Sequence, residues 1–196
     1  TLWGEGRGGT IRTGRAVYYP HSLGLFYLAL TQYLGFPNYG DEYKAMGLSA
    51  YGAPSYAEAL RRIVRPLPGG SFELDLTYFK HHTSGVEMTW ESGEPRIGTV
   101  YTDKLQALLG PQRRPEEPIE QRHQDLAASM QSVYEEAFFR LLNHVHGRTG
   151  QRDLCLAGGC AMNSVANGKI YENTPFRRLY VQSAAGDAGG AIGAAM

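Results

Sequence analysis

Glycine is abundant in this chain, 25 of 196 residues, yet none falls between Pro111 and His146. In that stretch Leu126, Met130, Val133, Ala137, Leu141 and Val145 recur at steps of three and four, the period of one helical face. The spacing predicts one long helix with a buried side. The glycines cluster instead at Gly4–Gly9, Gly35–Gly52, Gly158–Gly168 and Gly186–Gly193, with apolar residues interleaved. An average protein holds roughly 7 % glycine, so the excess marks tight turns or close approach of backbone to a ligand. No repeat of 20–50 residues is visible.

The remaining pattern predicts alternating short elements. Thr1–Val17 reads as a hairpin around Gly-Arg-Gly-Gly. Ser22 is an N-cap for a helix carrying Leu23, Phe26, Tyr27, Leu30 and Leu34, and Gly35 stops it. A short helix is expected over Asp41–Leu48, and Ser55 with Glu58 suggests a capping box for a helix running to about Val64. Pro66, Pro68, Gly69 and Gly70 break the chain before a half-buried strand alternating through Phe72–Tyr78. A short helix is read at Leu105–Leu109. After the long helix, strand Leu154–Ala157, a Gly158-Gly159 turn and a helix with Met162, Val165 and Ile170 form one unit. Strand Leu179–Val181, a loop to Asp187 and a glycine/alanine helix from Gly189 repeat it. Strand–turn–helix twice is an α/β signature, with ligand-binding loops at the carboxyl ends of the strands.

Charge and cysteine content exclude several classes. Lys+Arg and Asp+Glu number 19 each, which argues against a nucleic-acid or polybasic membrane surface. No apolar run reaches the ~18–20 residues of a membrane span. Cys155 and Cys160 are too few for a disulfide framework and read as reduced, small buried residues of a cytoplasmic protein. The chain begins at Thr1 and stops at Met196 inside an apparent apolar helix, so a fragment of a longer protein is expected.

Three segments are candidates for chemistry. At Leu154–Asn163, Gly158 and Gly159 before a helix start would let backbone N–H groups meet an anion, with Asn163 adding an amide; a bare structural turn is the alternative. At Ala184–Gly190, Asp187 is either an N-cap or a carboxylate left room for a metal or phosphates, with Gly186 beside it. At Asp41–Leu48, Glu42 and Lys44 are too closely spaced to pair across a helix face; they read either as a solvated charged turn or as contacts to a ribose hydroxyl and a phosphate. His81-His82 in a strand would face opposite ways, and His144 and His146 diverge on a helix, so neither has zinc-site spacing. His21 sits at a helix start; Arg122, His123 and Asp125 begin the long helix as capping and surface charge.

Six segments in order, Pro20–Tyr27, Tyr33–Phe36, Glu42–Leu48 with Tyr51-Gly52, Arg122–Gln131, Leu156–Asn163 and Ala184–Ala195, resemble the O-carbamoyltransferase family of the NodU/CmcH type. The resemblance implies an α/β actin-like ATPase (ribonuclease-H-like) fold, incomplete here, with a mixed sheet and flanking helices. Residues 1–196 would be the middle and C-terminal part of the transfer domain, lacking the start of the first lobe and the YrdC-like domain. The implied activity makes carbamoyl adenylate from carbamoyl phosphate and ATP. The carbamoyl group then moves to a hydroxyl of a small molecule such as a sugar or natural product. The resemblance assigns Gly158, Gly159, Asn163, Glu42, Lys44 and Gly186 to the nucleotide and Asp187 to a divalent metal, often iron (Fe2+). The histidine motif for that metal is expected upstream of Thr1. No catalytic base is assigned; His21 and His123 are the weak candidates. A relative acting on a macromolecule, as in threonylcarbamoyl transfer or hydrogenase maturation, and a non-catalytic nucleotide-binding scaffold are the rival readings.

Overall fold

The computed structural model describes residues 1–91 and 93–196. Strands β1 (Gly4–Arg7) and β2 (Thr10–Thr13) pair antiparallel through a two-residue turn. Gly8 and Gly9 both adopt positive φ there, +53° and +79°, a geometry that glycine takes without steric cost. Helix α1 (Leu23–Tyr33) starts as the sequence predicts: Ser22 Oγ accepts the Leu25 N–H at 3.4 Å. It is buried on nearly all sides, and Gly35, at φ +80°, turns the chain away. Helix α2 (Glu42–Leu48) runs directly into a single 3-10 turn at Ser49–Tyr51.

The middle of the chain departs from expectation. The helix expected from Ser55 to Val64 is one turn, α3 (Ala57–Leu60), without a side-chain cap. The Ser55 N–H that Glu58 would have accepted donates to the Ala53 carbonyl at 2.8 Å, Glu58 reaches Arg61 instead, and the Tyr56 N–H donates to Ser129 Oγ of the long helix at 2.9 Å. Beyond it, β3 (Val64–Pro66) pairs with β4 (Phe72–Leu74) in a hairpin that the proline and glycine signals concealed. The strand expected to reach Tyr78 ends at Leu74, because Asp75 accepts the Thr77 N–H and bends the chain into a 3-10 turn. His81 and His82 lie in the single-turn helix α4 (His81–Ser84), not a strand, with their rings edge-to-face at 5.7 Å. Hairpin β5 (Met88–Glu91)–β6 (Glu94–Ile97) and helix α5 (Lys104–Leu109) follow.

Most of the glycine-free stretch lies in α6 (Gln121–Thr149), 29 residues long with Gly147 in its last turn. Its start is a reciprocal box: the Glu120 side chain accepts from the His123 N–H, and His123 Nδ1 accepts from the Glu120 N–H at 3.0 Å. Gly150, at φ +66°, ends it in the left-handed conformation. Around α6 pack α1, α2, α3, β3 and the turns at Ser49–Tyr51 and Pro68–Gly70. Gly52 lies so close to the Gln124 carbonyl that no Cβ would fit. Tyr27 of α1 meets Tyr134 of α6 edge-to-face at 5.6 Å.

Strands β7 (Asp153–Leu156) and β8 (Arg178–Val181) pair in parallel, with α7 (Ser164–Gly168) and α8 (Ile170–Asn173) in the crossover and α9 (Gly189–Ala195) after it. The architecture is α/β, but among the described residues the strands form four two-stranded sheets, not one mixed sheet. β7 is only half buried and Cys155 is exposed, contrary to the buried strand and thiol expected. The reason is that β7 has one neighbouring strand, β8, and side chains on its outer positions meet no covering layer among the described residues.

Candidate functional site

The two glycine turns that follow β7 and β8 meet. The Gly158 N–H donates to the Ala185 carbonyl at 2.5 Å. Gly158 holds φ +96°, and nothing lies within 4 Å of where a Cβ on Gly158 or Gly159 would project. Gly186 approaches Met162, whose Sδ would be 3.5 Å from a Cβ there. On Gly189 a Cβ would lie 2.5 Å from the Ala184 carbonyl oxygen, so the second turn closes only over glycine. Bare backbone from two loops is thus gathered at the carboxyl ends of a parallel strand pair, the usual ligand position in such sheets.

The helix expected directly after Gly159 is absent. Residues Gly159–Met162 form one 3-10 turn, and Asn163, extended at φ −72°, ψ 91°, interrupts it before α7. With only five residues in α7, the helix-dipole part of the anion argument drops out; what remains is the open glycine backbone.

Beneath the turn lies a buried polar network. Asn163 Oδ1 accepts from Ala166 N–H at 2.9 Å and from Gln131 Nε2 at 3.0 Å, while Asn163 Nδ2 donates to Gln131 Oε1 at 3.0 Å. Gln131 Oε1 also accepts from the Tyr27 hydroxyl at 2.8 Å, and its Nε2 donates to Glu135 Oε1 at 2.9 Å. Lys169 Nζ bonds both Glu135 oxygens at 2.7 and 2.8 Å. Separately, the Tyr134 hydroxyl donates to the Cys160 carbonyl at 2.9 Å. Burial pushes the pKa of Tyr27, Tyr134 and Cys160 upward, so all three stay protonated near neutrality. Sequence reading named Asn163 but missed Gln131, Glu135, Lys169 and both tyrosines. One signal was present: Gln131 is a lone amide in the helical row Ala127, Gln131, Tyr134, Phe138 on the buried side of α6.

The other candidates divide. Helix α2 reaches this region: Met46 Sδ lies 3.8 Å from Ser164 Oγ, and the negative charge of Glu42 adds to the upward shifts of Tyr27 and Cys160. Lys44 makes an ion pair with Asp41 at 2.6 Å, which raises its pKa. His21, between the hairpin and α1, accepts the Leu74 N–H on Nδ1 at 3.1 Å. His123 Nδ1 is held by the α6 capping box, two turns or ~12 Å along the helix from Gln131. A neutral imidazole has one acceptor nitrogen, and each of these two rings has it occupied by a backbone N–H. Burial lowers the pKa of His123, consistent with that neutral form. Asp187 is exposed and is not the cap of α9; Ala188 holds that position. Among the described residues no three His, Cys, Asp or Glu side chains gather to hold a metal. Asp187 is therefore a single available carboxylate and not a metal site by itself. No helix of the described chain is long and apolar enough to cross a membrane.

The fold and its paired glycine turns define an α/β unit built on one long helix. The family described as carbamoyltransferase N-terminus matches residues 1–196. The chain belongs to that family. It is 42 % identical, over 100 % of its length, to the uncharacterized protein sll1178 of Synechocystis sp., covering 30 % of that protein. It is 38 % identical to nodulation protein NolO of Bradyrhizobium diazoefficiens over 90 % of its own length and 28 % of the relative's. For nodulation protein NolNO of Sinorhizobium fredii the values are 36 %, 89 % and 22 %. The chain thus spans less than a third of these curated relatives.

Proposed function

We propose that the chain is part of the transfer domain of an O-carbamoyltransferase and supplies its nucleotide-holding turns. In this reading the parent protein hydrolyses carbamoyl phosphate to carbamate and phosphate and joins the carbamate to ATP on a YrdC-like domain, giving carbamoyl adenylate and pyrophosphate. A hydroxyl of a small molecule, such as a sugar or natural product, then attacks the carbamoyl carbon here and AMP leaves. The observation that carries the reading is the junction of the two glycine turns at the Gly158–Ala185 hydrogen bond. Backbone N–H groups free of side chains can hold an adenylate phosphate while leaving the carbonyl open to the acceptor, and such orientation is a large part of acyl-transfer catalysis.

In this proposal Gly158, whose own N–H is spent on Ala185, joins the two turns, Gly159 and Gly186 form the phosphate side of the nucleotide site with it, Glu42 and Lys44 border it from α2, and Asn163 sets the shape of the first turn. An actin-like ATPase fold, completed by other parts of the protein, is the parent architecture proposed. Asp187 is proposed as one ligand of a divalent metal, Fe2+ in the family pattern; with one carboxylate here, no step is assigned to the metal. His21 and His123 are not proposed as the base, since each uses its acceptor nitrogen on backbone. The balanced charge favours a small acceptor over a nucleic acid.

The test uses the intact parent protein with carbamoyl phosphate, ATP and a panel of hydroxyl acceptors, followed by mass spectrometry. Carbamoylated product with release of AMP and pyrophosphate is expected. Absence of both nucleotide products across all acceptors refutes the proposal. Asp187→Ala is expected to lose bound metal and transfer together; full retention of both removes its assignment.

A further inference from the structure

Gln131 has every hydrogen-bonding position of its amide in use while only 4 % exposed. Two acceptor positions receive Tyr27 and Asn163; two N–H groups go to Glu135 and Asn163. The polarity of this chain of bonds has one solution. Glu135, held by Lys169, accepts only, so the Gln131 NH2 must face it. The same NH2 then requires the oxygen of Asn163, and the Ala166 N–H requires that oxygen independently. Asn163 is left with its NH2 on the other side, where one N–H is bound to Gln131. A residue on α6 thereby decides which face the Asn163 amide shows, 32 positions later in the chain.

We propose that Gln131 is a positioning residue for nucleotide binding, holding the Gly158–Asn163 turn in shape through its paired amide bonds to Asn163. The inference rests on the reading of the paired glycine turns as the nucleotide site. Glu135 and Lys169 are the outer part of the same device, setting polarity without touching the ligand.

The experiment compares wild type, Gln131→Met, Gln131→Glu and Gly158→Val in the intact protein. Folding is followed by circular dichroism, AMP binding by calorimetry and ATP-dependent turnover by steady-state kinetics. Gln131→Met keeps the volume and the Glu135–Lys169 pair while removing the relay; Gln131→Glu keeps the acceptor and removes the donors. For both, AMP Kd and ATP KM are expected to rise at least tenfold, with kcat within threefold. A purely structural role would lower kcat through the folded fraction and leave KM and Kd unchanged, and that result overturns the inference. If Gly158→Val abolishes AMP binding while both Gln131 variants bind normally, this inference alone fails. If Gly158→Val itself binds AMP normally, the site reading fails and the inference falls with it.

Discussion

Replacing Asn163 by alanine isolates the contribution of the network to the glycine turn. The change deletes the acceptor for the Ala166 N–H, an N-cap contribution of ~1 kcal/mol. It also deletes two amide–amide hydrogen bonds to Gln131, ~1 kcal/mol net each. Gln131 keeps Tyr27 on its oxygen and Glu135 on its nitrogen, while the buried Ala166 N–H loses its acceptor, a cost counted in the capping loss. The sum is a loss of about 3 kcal/mol, or roughly 6–12 °C in Tm at ~2–4 °C per kcal/mol for a domain of this size. Asn163→Ser retains a short capping acceptor and loses only the amide pair, so its loss is about 2 kcal/mol. Denaturant titration and thermal unfolding of both variants in the intact protein provide the assay. The expected order of stability is wild type, serine, alanine. If the two variants are indistinguishable, the capping contribution is refuted; if both lose under ~0.5 kcal/mol, the amide pair contributes nothing and the network argument fails with it.

Two further outcomes follow from local geometry. His81 is fully buried, with Nε2 facing the Pro20 carbonyl at 2.9 Å and Nδ1 unpartnered; burial first, and the nearby His82 and His21 next, hold its pKa below 6.5. A depressed folded-state pKa means the neutral ring is favoured on folding, so stability is full above ~6.5 and falls as pH drops through the folded pKa. Wild type is therefore expected to lose more stability than His81→Gln between pH 7.5 and pH 5.5 by denaturant titration; equal losses refute the assignment, and His123 leaves a residual slope in both. In the second turn, Gly189→Ala forces a Cβ to 2.5 Å from the Ala184 carbonyl and is expected to cost ~1–3 kcal/mol, while Gly190→Ala enters open space and stays within ~0.5 kcal/mol. Equal Tm values for the two variants contradict that contact.

Local chemistry made some elements legible. Ser22 and Gly35 bracket α1, Gly8-Gly9 make the first hairpin, and the glycine gap marks α6, because caps, positive-φ turns and helical periodicity act within a few residues. Local signals failed where a competing hydrogen bond answered first. The Ser55–Glu58 pattern never caps α3, since the Ser55 N–H donates to the Ala53 carbonyl and Glu58 pairs with Arg61. Pro66 obscured the β3–β4 pairing, and Asp75 cut short the strand whose alternation ran on to Tyr78.

The site divides along the same line. The amino-acid sequence alone determined that two strand–glycine turns exist, at Gly158-Gly159 and Gly186–Gly190; the structure gives the reason glycine stands there, φ +96° at 158 and the Ala184 contact at 189. The tertiary structure decided that these turns touch, that α2 lies beside them, and that Asn163 answers to Gln131, Glu135 and Lys169. Those partners are separated by tens of residues, and a hydrogen bond depends on distance and angle in space, which no spacing along the chain encodes.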